Sequence, residues 1–128
     1  MTLVKNPAPE ALVCQHEVFG PILPVHTYRQ FDEVIENIQA GERPLGIYVF
    51  SNQPALVERL RRSTSSGGFC VNAASMQGAQ ANLGFGGVGN SGMGHYHGYD
   101  GFTTFSKMRP VFYQGPIRAL NKLMPPYA

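Results

Sequence analysis

Residues 45–71 run LGIYVFSNQPALVERLRRSTSSGGFCV, and this stretch decides the fold. Residues 45–50 are an apolar run of strand length. Asn52 is placed to cap a helix, and Pro54 falls in its first turn, where a missing N–H costs little. Leu56, Val57 and Leu60 give that helix one apolar face. Gly67-Gly68 ends it, and Phe69-Cys70-Val71 makes another short strand. Upstream, Phe31, Val34, Ile35 and Ile38 stand at i, i+3, i+4, i+7, the period of an amphipathic helix stopped at Gly41 and Pro44. Residues 22–28 have strand character. The order strand, helix, strand, helix, strand predicts the α/β class, with a small parallel three-strand sheet and two crossover helices. Three strands are few for such a sheet. Parallel sheets need both faces covered, and two crossovers of the usual hand cover one. The chain is therefore expected to be part of a larger fold.

Outward from this unit the pattern loosens. Apolar runs at 2–5 and 11–14 flank Asn6-Pro7-Ala8-Pro9, an extended loop. Glu17-Val18-Phe19-Gly20-Pro21 is a turn. Eight of the fifteen glycines lie between Gly84 and Gly101, a long shaped loop rather than a helix or strand. Residues 98–105 can start a short helix with Phe102 and Phe105 inward. Residues 111–114 can form a final strand, and 117–124 one or two helical turns before Pro125-Pro126-Tyr127.

The 128 residues suit one small domain; 14% are charged against a usual ~25%, which fits a surface meant to be covered. A net charge of +2 is too small to imply nucleic acid or an anionic membrane. The basic run Arg59, Arg61, Arg62 suits a solvated helix face. No apolar run approaches the length of a membrane helix, and no apolar leader follows Met1. Two distant cysteines, Cys14 and Cys70, make no disulfide framework, so a reducing cytoplasmic setting is expected.

The glycine run from Gly84 to Gly89 matches GxGxxG, as does the run from Gly87 to Gly92. A dinucleotide loop needs a strand before it and a helix after it, and the surroundings here are polar and glycine-rich. His95-Tyr96-His97 would need further metal ligands, so packing or surface is expected and no metal site is assigned. Cys70 lies in an apolar run and is expected to be an inert buried thiol. Cys14 has His16 two residues on, which in a strand would only put both on one face. No catalytic residue is assigned.

Two stretches, in order, resemble the aldehyde dehydrogenase superfamily. Glu17-Val18-Phe19-Gly20-Pro21 resembles its E-x-F-G-P element. The ten residues from Phe85 to Gly94, FGGVGNSGMG, resemble its F-G-G-x-x-x-S-G-x-G loop. Between them, Arg43-Pro44-Leu45-Gly46-Ile47-Tyr48 resembles the R-P-L-A-L-Y strand, and Ser66-Gly67-Gly68 and Val71-Asn72 stand where the family has them. His95-Tyr96-His97-Gly98, Gly101-Phe102, Arg109-Pro110-Val111 and Pro125-Pro126-Tyr127 resemble the class 3-like, coniferyl aldehyde dehydrogenase branch. Gly84 departs from the family's proline, which should loosen the loop, and Gln77 from the branch's histidine.

The resemblance implies a partial catalytic domain over 1–110 and an oligomerisation strand and tail over 111–128. It implies NAD or NADP as the intact family's cofactor. Glu17 would hold the nicotinamide ribose hydroxyls, Phe19 would pack near the nicotinamide ring, and Phe85 would line the substrate tunnel. The family's dinucleotide half, nucleophilic cysteine and general-base glutamate lie upstream of the matching segment. The expected protein is thus a truncated aldehyde dehydrogenase, inactive alone and holding no nucleotide tightly. Its expected partners are the missing N-terminal half or copies of itself. The alternative is a binding or oligomerisation module derived from that fold.

Overall fold

The computed structural model describes residues 1–115 and Pro125. In chain order it contains β1 (Thr2–Lys5), α1 (Leu12–Gln15), β2 (Ile22–Val25), α2 (Phe31–Ala40), β3 (Gly46–Val49), α3 (Pro54–Ser63), β4 (Gly68–Val71) and α4 (Gly98–Thr104). Short 3-10 turns occupy Met76–Ala79 and Gly89–Ser91. The class is α/β and every ladder is parallel, as the alternation predicts.

The strand grouping differs from the single three-strand sheet expected. β1 pairs with β2, Thr2 opposite Ile22, and β3 pairs with β4, Gly46 opposite Gly68. Among the described residues these are two separate two-stranded sheets. Pro24 supplies a physical reason. Thr2 N–H donates to the Pro21 carbonyl at 2.6 Å and Asn6 N–H to that of Val25 at 2.7 Å. Alternation along β2 therefore turns Leu23 and Val25 toward β1 and residue 24 toward the opposite edge. Proline has no N–H to give a third strand there, and in sheets it is confined to such edges. Of the two helices expected to cross over, α3 does so, joining β3 to β4, while α2 links the two sheets.

The core forms where the period places it. Ile35 of α2, Ile47 and Val49 of β3 and Leu60 of α3 are buried, with Phe31, Ile38, Leu56, Val57 and Phe69 packed around them. At the start of α2 the Gln30 N–H donates to Glu33 Oε1 at 3.1 Å, satisfying one donor ahead of the helix. At its end the Gly41 N–H reaches the Asn37 carbonyl at 3.2 Å. Asn52 does not cap α3. The N-cap is Gln53, whose N–H is taken by Ser51 Oγ at 3.1 Å, and Pro54 opens the helix.

The C-terminal expectations are corrected in two places. Phe102 and Phe105 face outward, 67% and 85% exposed. A seven-residue helix has one apolar side, and among the described residues the side that carries them is left open to solvent. Residues 111–114 pair with no described strand, leaving Val111, Phe112 and Tyr113 exposed. The turns expected at 117–124, with Pro126 and Tyr127, lie outside the described residues.

Candidate functional site

Glu17 and Phe19 sit on the turn between α1 and β2. The turn is tight, with the Gly20 N–H on the Val18 carbonyl at 2.9 Å, and its far end is fixed to β1 through the Pro21 carbonyl. Phe19 is 93% exposed, and Glu17 is exposed as well. A carboxylate and an aromatic ring are thus presented together on an anchored turn. Two carboxylate oxygens accept hydroxyl hydrogen bonds well, and the ring offers an apolar face.

The residues just before this turn hold a contact that the sequence hid. Cys14 belongs to α1, not to a strand, so its spacing to His16 does not put them on one face. The Cys14 Sγ instead lies 3.8 Å from His26 Nε2, just past the end of β2. Twelve positions separate the two, and no local pattern announces the pairing.

Phe85 is held by backbone and side chain together. Its N–H donates to the Tyr96 carbonyl at 2.7 Å, and the Tyr96 N–H returns a bond to Phe85 at 3.0 Å. The Tyr96 ring meets it edge-on at 6.0 Å and the His97 ring stacks at 5.8 Å. Gly78 lies under the ring, where an added Cβ would come within 3.2 Å. His97 is thus a packing residue, while His95 turns to Asp100 at 3.5 Å. Gly84 leaves room for that pair, since a Cβ there would approach both His95 and Asp100 at 2.6 Å. Immediately after Gly84 the loop is pinned by the Phe85–Tyr96 backbone pair.

The glycine run packs on itself. A Cβ on Gly67 would collide with the Gly86 carbonyl, one on Gly86 with the Gly94 carbonyl, and one on Gly87 with the Ser91 carbonyl. Ser91 Oγ accepts the Val88 N–H at 2.9 Å, and Asn90 Nδ2 donates to Glu42 Oε1 at 2.7 Å. A 3-10 turn follows the first GxGxxG match where a phosphate loop would open an α-helix. The glycines serve close packing.

Gln77 lies across Gly46 and Gly68, where added Cβ atoms would meet it at 3.3 and 3.1 Å. Its Nε2 donates to the Tyr48 hydroxyl at 3.2 Å, while its Oε1 is buried without a partner. Hydrogen bonds from Gln77 and then Ser75 lower the Tyr48 pKa from the usual phenol value. Cys70, opposite Tyr48 in the ladder, is half-buried within the sheet. No described contact joins the Glu17–Phe19 turn to Phe85.

The aldehyde dehydrogenase family model matches residues 1–111. A probable coniferyl aldehyde dehydrogenase of Caulobacter vibrioides is 44% identical, over 98% of this chain and 26% of its own. Human aldehyde dehydrogenase family 3 member B1 is 49% identical, over 89% of this chain and 25% of its own. The solved substrate-bound Staphylococcus aureus AldH is 37% identical with a TM-score of 0.82, over 91% of this chain and 26% of that one. The chain thus spans about a quarter of the length of the relatives it matches.

Proposed function

This chain belongs to the aldehyde dehydrogenase family, and we propose that it forms the ribose-holding and tunnel-lining part of an NAD(P)-dependent aldehyde-oxidising site, without turning aldehyde over alone. In this reading Glu17 accepts the hydroxyls of the nicotinamide ribose, Phe19 packs beside the nicotinamide and Phe85 walls the aldehyde channel. The carrying observation is the joint display of Glu17 and Phe19 on the anchored turn, with Phe19 93% exposed. A group that grips a nucleotide must be reachable, and an apolar ring so exposed lacks the partner that would cover it. The thiols take no nucleophilic role in this reading. Cys70 sits within a strand pair, and Cys14 lies beside His26 just upstream of the ribose turn. A reducing, cytoplasmic setting suits both free thiols.

A chimaera tests these roles, with this chain replacing the matching segment of the Caulobacter relative. In an active chimaera, Glu17→Gln should raise KM for the dinucleotide about tenfold with little change in aldehyde KM, the cost of one charge-assisted bond. Phe85→Ala should do the reverse. An unchanged dinucleotide KM in Glu17→Gln overturns the ribose assignment.

A second reading, self-association, draws support from the open backbone edges of β1 and β3. Light scattering on the pure chain tests it. A monomer at high concentration contradicts it.

A further inference from the structure

Cys14 and His26 form a thiol–imidazole pair that the aldehyde chemistry above does not use. The Cys14 Sγ lies 3.8 Å from His26 Nε2, within reach of a hydrogen bond to sulfur. Each partner is held from its own side. Cys14 sits in α1, where its N–H donates to the Ala11 carbonyl at 2.8 Å. His26 follows β2 directly, between Val25, whose carbonyl takes the Asn6 N–H, and Thr27, whose N–H donates to Asn6 Oδ1 at 2.8 Å. A base set against a thiol is the arrangement that supplies a thiolate near neutral pH. Cys70 provides the contrast. It is half-buried like Cys14, but it lies in the β3–β4 ladder opposite Tyr48, and no described hydrogen bond joins it to an imidazole. The pair also stands beside a hollow. His26 lines a cleft of about 320 Å³ between residues 26–28 and α2, walled by Tyr28, Val34 and Ile38 with the Asn37 amide among them. Volumes near 300 Å³ are at the small end of those that take organic ligands.

We propose that Cys14, with His26 as its base, is a site of reversible thiol–disulfide exchange with a low-molecular-weight disulfide, whose organic part lies in the cleft beside His26. In the tautomer with its proton on Nδ1, His26 Nε2 takes the Cys14 proton. The thiolate attacks one sulfur of the small disulfide, a new S–S bond forms to Cys14 Sγ, and the bond within the disulfide breaks. The departing thiolate takes the proton back from the imidazolium and leaves as a thiol. Cys14 is oxidised, the small disulfide is reduced, and a second small thiol reverses the step. The walled cleft favours this oxidant over peroxide, which carries no organic group to seat there. Exchange of this kind suits a reducing compartment, where protein disulfides are mostly transient and redox-sensing. Attack on a carbonyl has no part in it, so the proposal stands apart from the ribose and tunnel assignments.

The test exposes the full, reduced chain to glutathione disulfide near neutral pH and follows each cysteine by peptide mass spectrometry. A free thiol is only a few per cent thiolate there, so a neighbouring base should make Cys14 react roughly tenfold faster than Cys70. Dithiothreitol should remove the adduct. His26→Ala should slow Cys14 by a similar factor and leave Cys70 unchanged. Imidazole added to that variant should restore the Cys14 rate, which a purely structural loss would not allow. Asn37→Trp, which fills the cleft from the exposed side of α2, should slow glutathione disulfide but not a small methyl thiosulfonate. Circular dichroism checks that both variants fold. Cys14 reacting no faster than Cys70 overturns the proposal. So does a folded His26→Ala that keeps the wild-type rate or whose loss imidazole does not restore, or a folded Asn37→Trp that reacts with glutathione disulfide as the wild type does.

Discussion

The Asn72 side chain continues the β3–β4 ladder past its last backbone pair. Ser51 N–H donates to Asn72 Oδ1 at 2.8 Å, and Asn72 Nδ2 donates to the Ser51 carbonyl at 3.1 Å. Asn6 does much the same for the other sheet, taking the Thr27 N–H on Oδ1 at 2.8 Å. Each asparagine directly follows its strand, and each has a positive φ, 54° and 45°. Asparagine tolerates that region better than other residues with a Cβ. One residue type thus turns the chain and caps the sheet.

Asn72→Gly keeps the backbone geometry and removes both side-chain bonds, so it should cost about 1–2 kcal/mol. Asn72→Ala also forces a Cβ into the left-handed region and should cost about 1 kcal/mol more. Thermal unfolding followed by circular dichroism checks the order. Equal midpoints for the two variants would contradict the account of φ.

Gly86→Ala and Gly67→Ala should each destabilise on the order of 3 kcal/mol, because the added Cβ meets fixed backbone carbonyls. Gly94→Ala has open space around it and only a positive φ of 76° to oppose it, so its cost should be smaller. Chemical denaturation of the three variants ranks them.

Gln77→Leu should raise the Tyr48 pKa back toward the usual phenol value, since the amide hydrogen bond to the hydroxyl is the largest cause of its lowering. The sign follows from linkage. A folded pKa below the unfolded one adds stability only as pH rises through the phenol range, so the wild-type advantage at this site appears at alkaline pH. Phenolate absorbance against pH reads the shift. A titration identical in the two proteins would remove Gln77 as its cause.

Glu58 is held at about 2, against a usual 4.5, by hydrogen bonds to Arg61 and Arg62. The stability it gives α3 is present above the unfolded value and fades as pH falls from about 4.5 toward 2. All three groups are solvent-exposed, so salt should shrink the effect. Residue-resolved NMR of α3 across that window, at low and high salt, follows it. Glu58→Gln should flatten the dependence.

Much of the fold was legible because burial leaves a period in the sequence. Ile35 and Leu60 lie on the apolar faces that helix spacing gives, and Ile47 and Val49 lie within the apolar run 45–50, though that run did not say which of its residues would be buried. The sheet grouping was not, because partner choice depends on which edge Pro24 faces, and that follows from a register no local pattern states. Phe102 and Phe105 were misplaced for a related reason. Helical period identifies an apolar face but not what will cover it. At the site, Glu17, Phe19 and Phe85 came from the resemblance to the family's motifs, and the structure adds that Phe85 is held by Tyr96 and His97 while Glu17 and Phe19 stand exposed on their turn. Cys14 beside His26 and His97 beneath Phe85 are contacts across folded segments, invisible to spacing alone.

The most direct measurement of the central claim is NADH or NADPH formation by the pure chain supplied with aldehyde and either dinucleotide. No turnover above the uncatalysed rate is predicted, because in the proposed reading the Glu17–Phe19 turn and Phe85 only bind and orient, and neither attacks the carbonyl. Steady aldehyde-dependent turnover that disappears in Cys70→Ser or Cys14→Ser would contradict it, placing the nucleophile at a thiol to which the proposed reading gives no nucleophilic role.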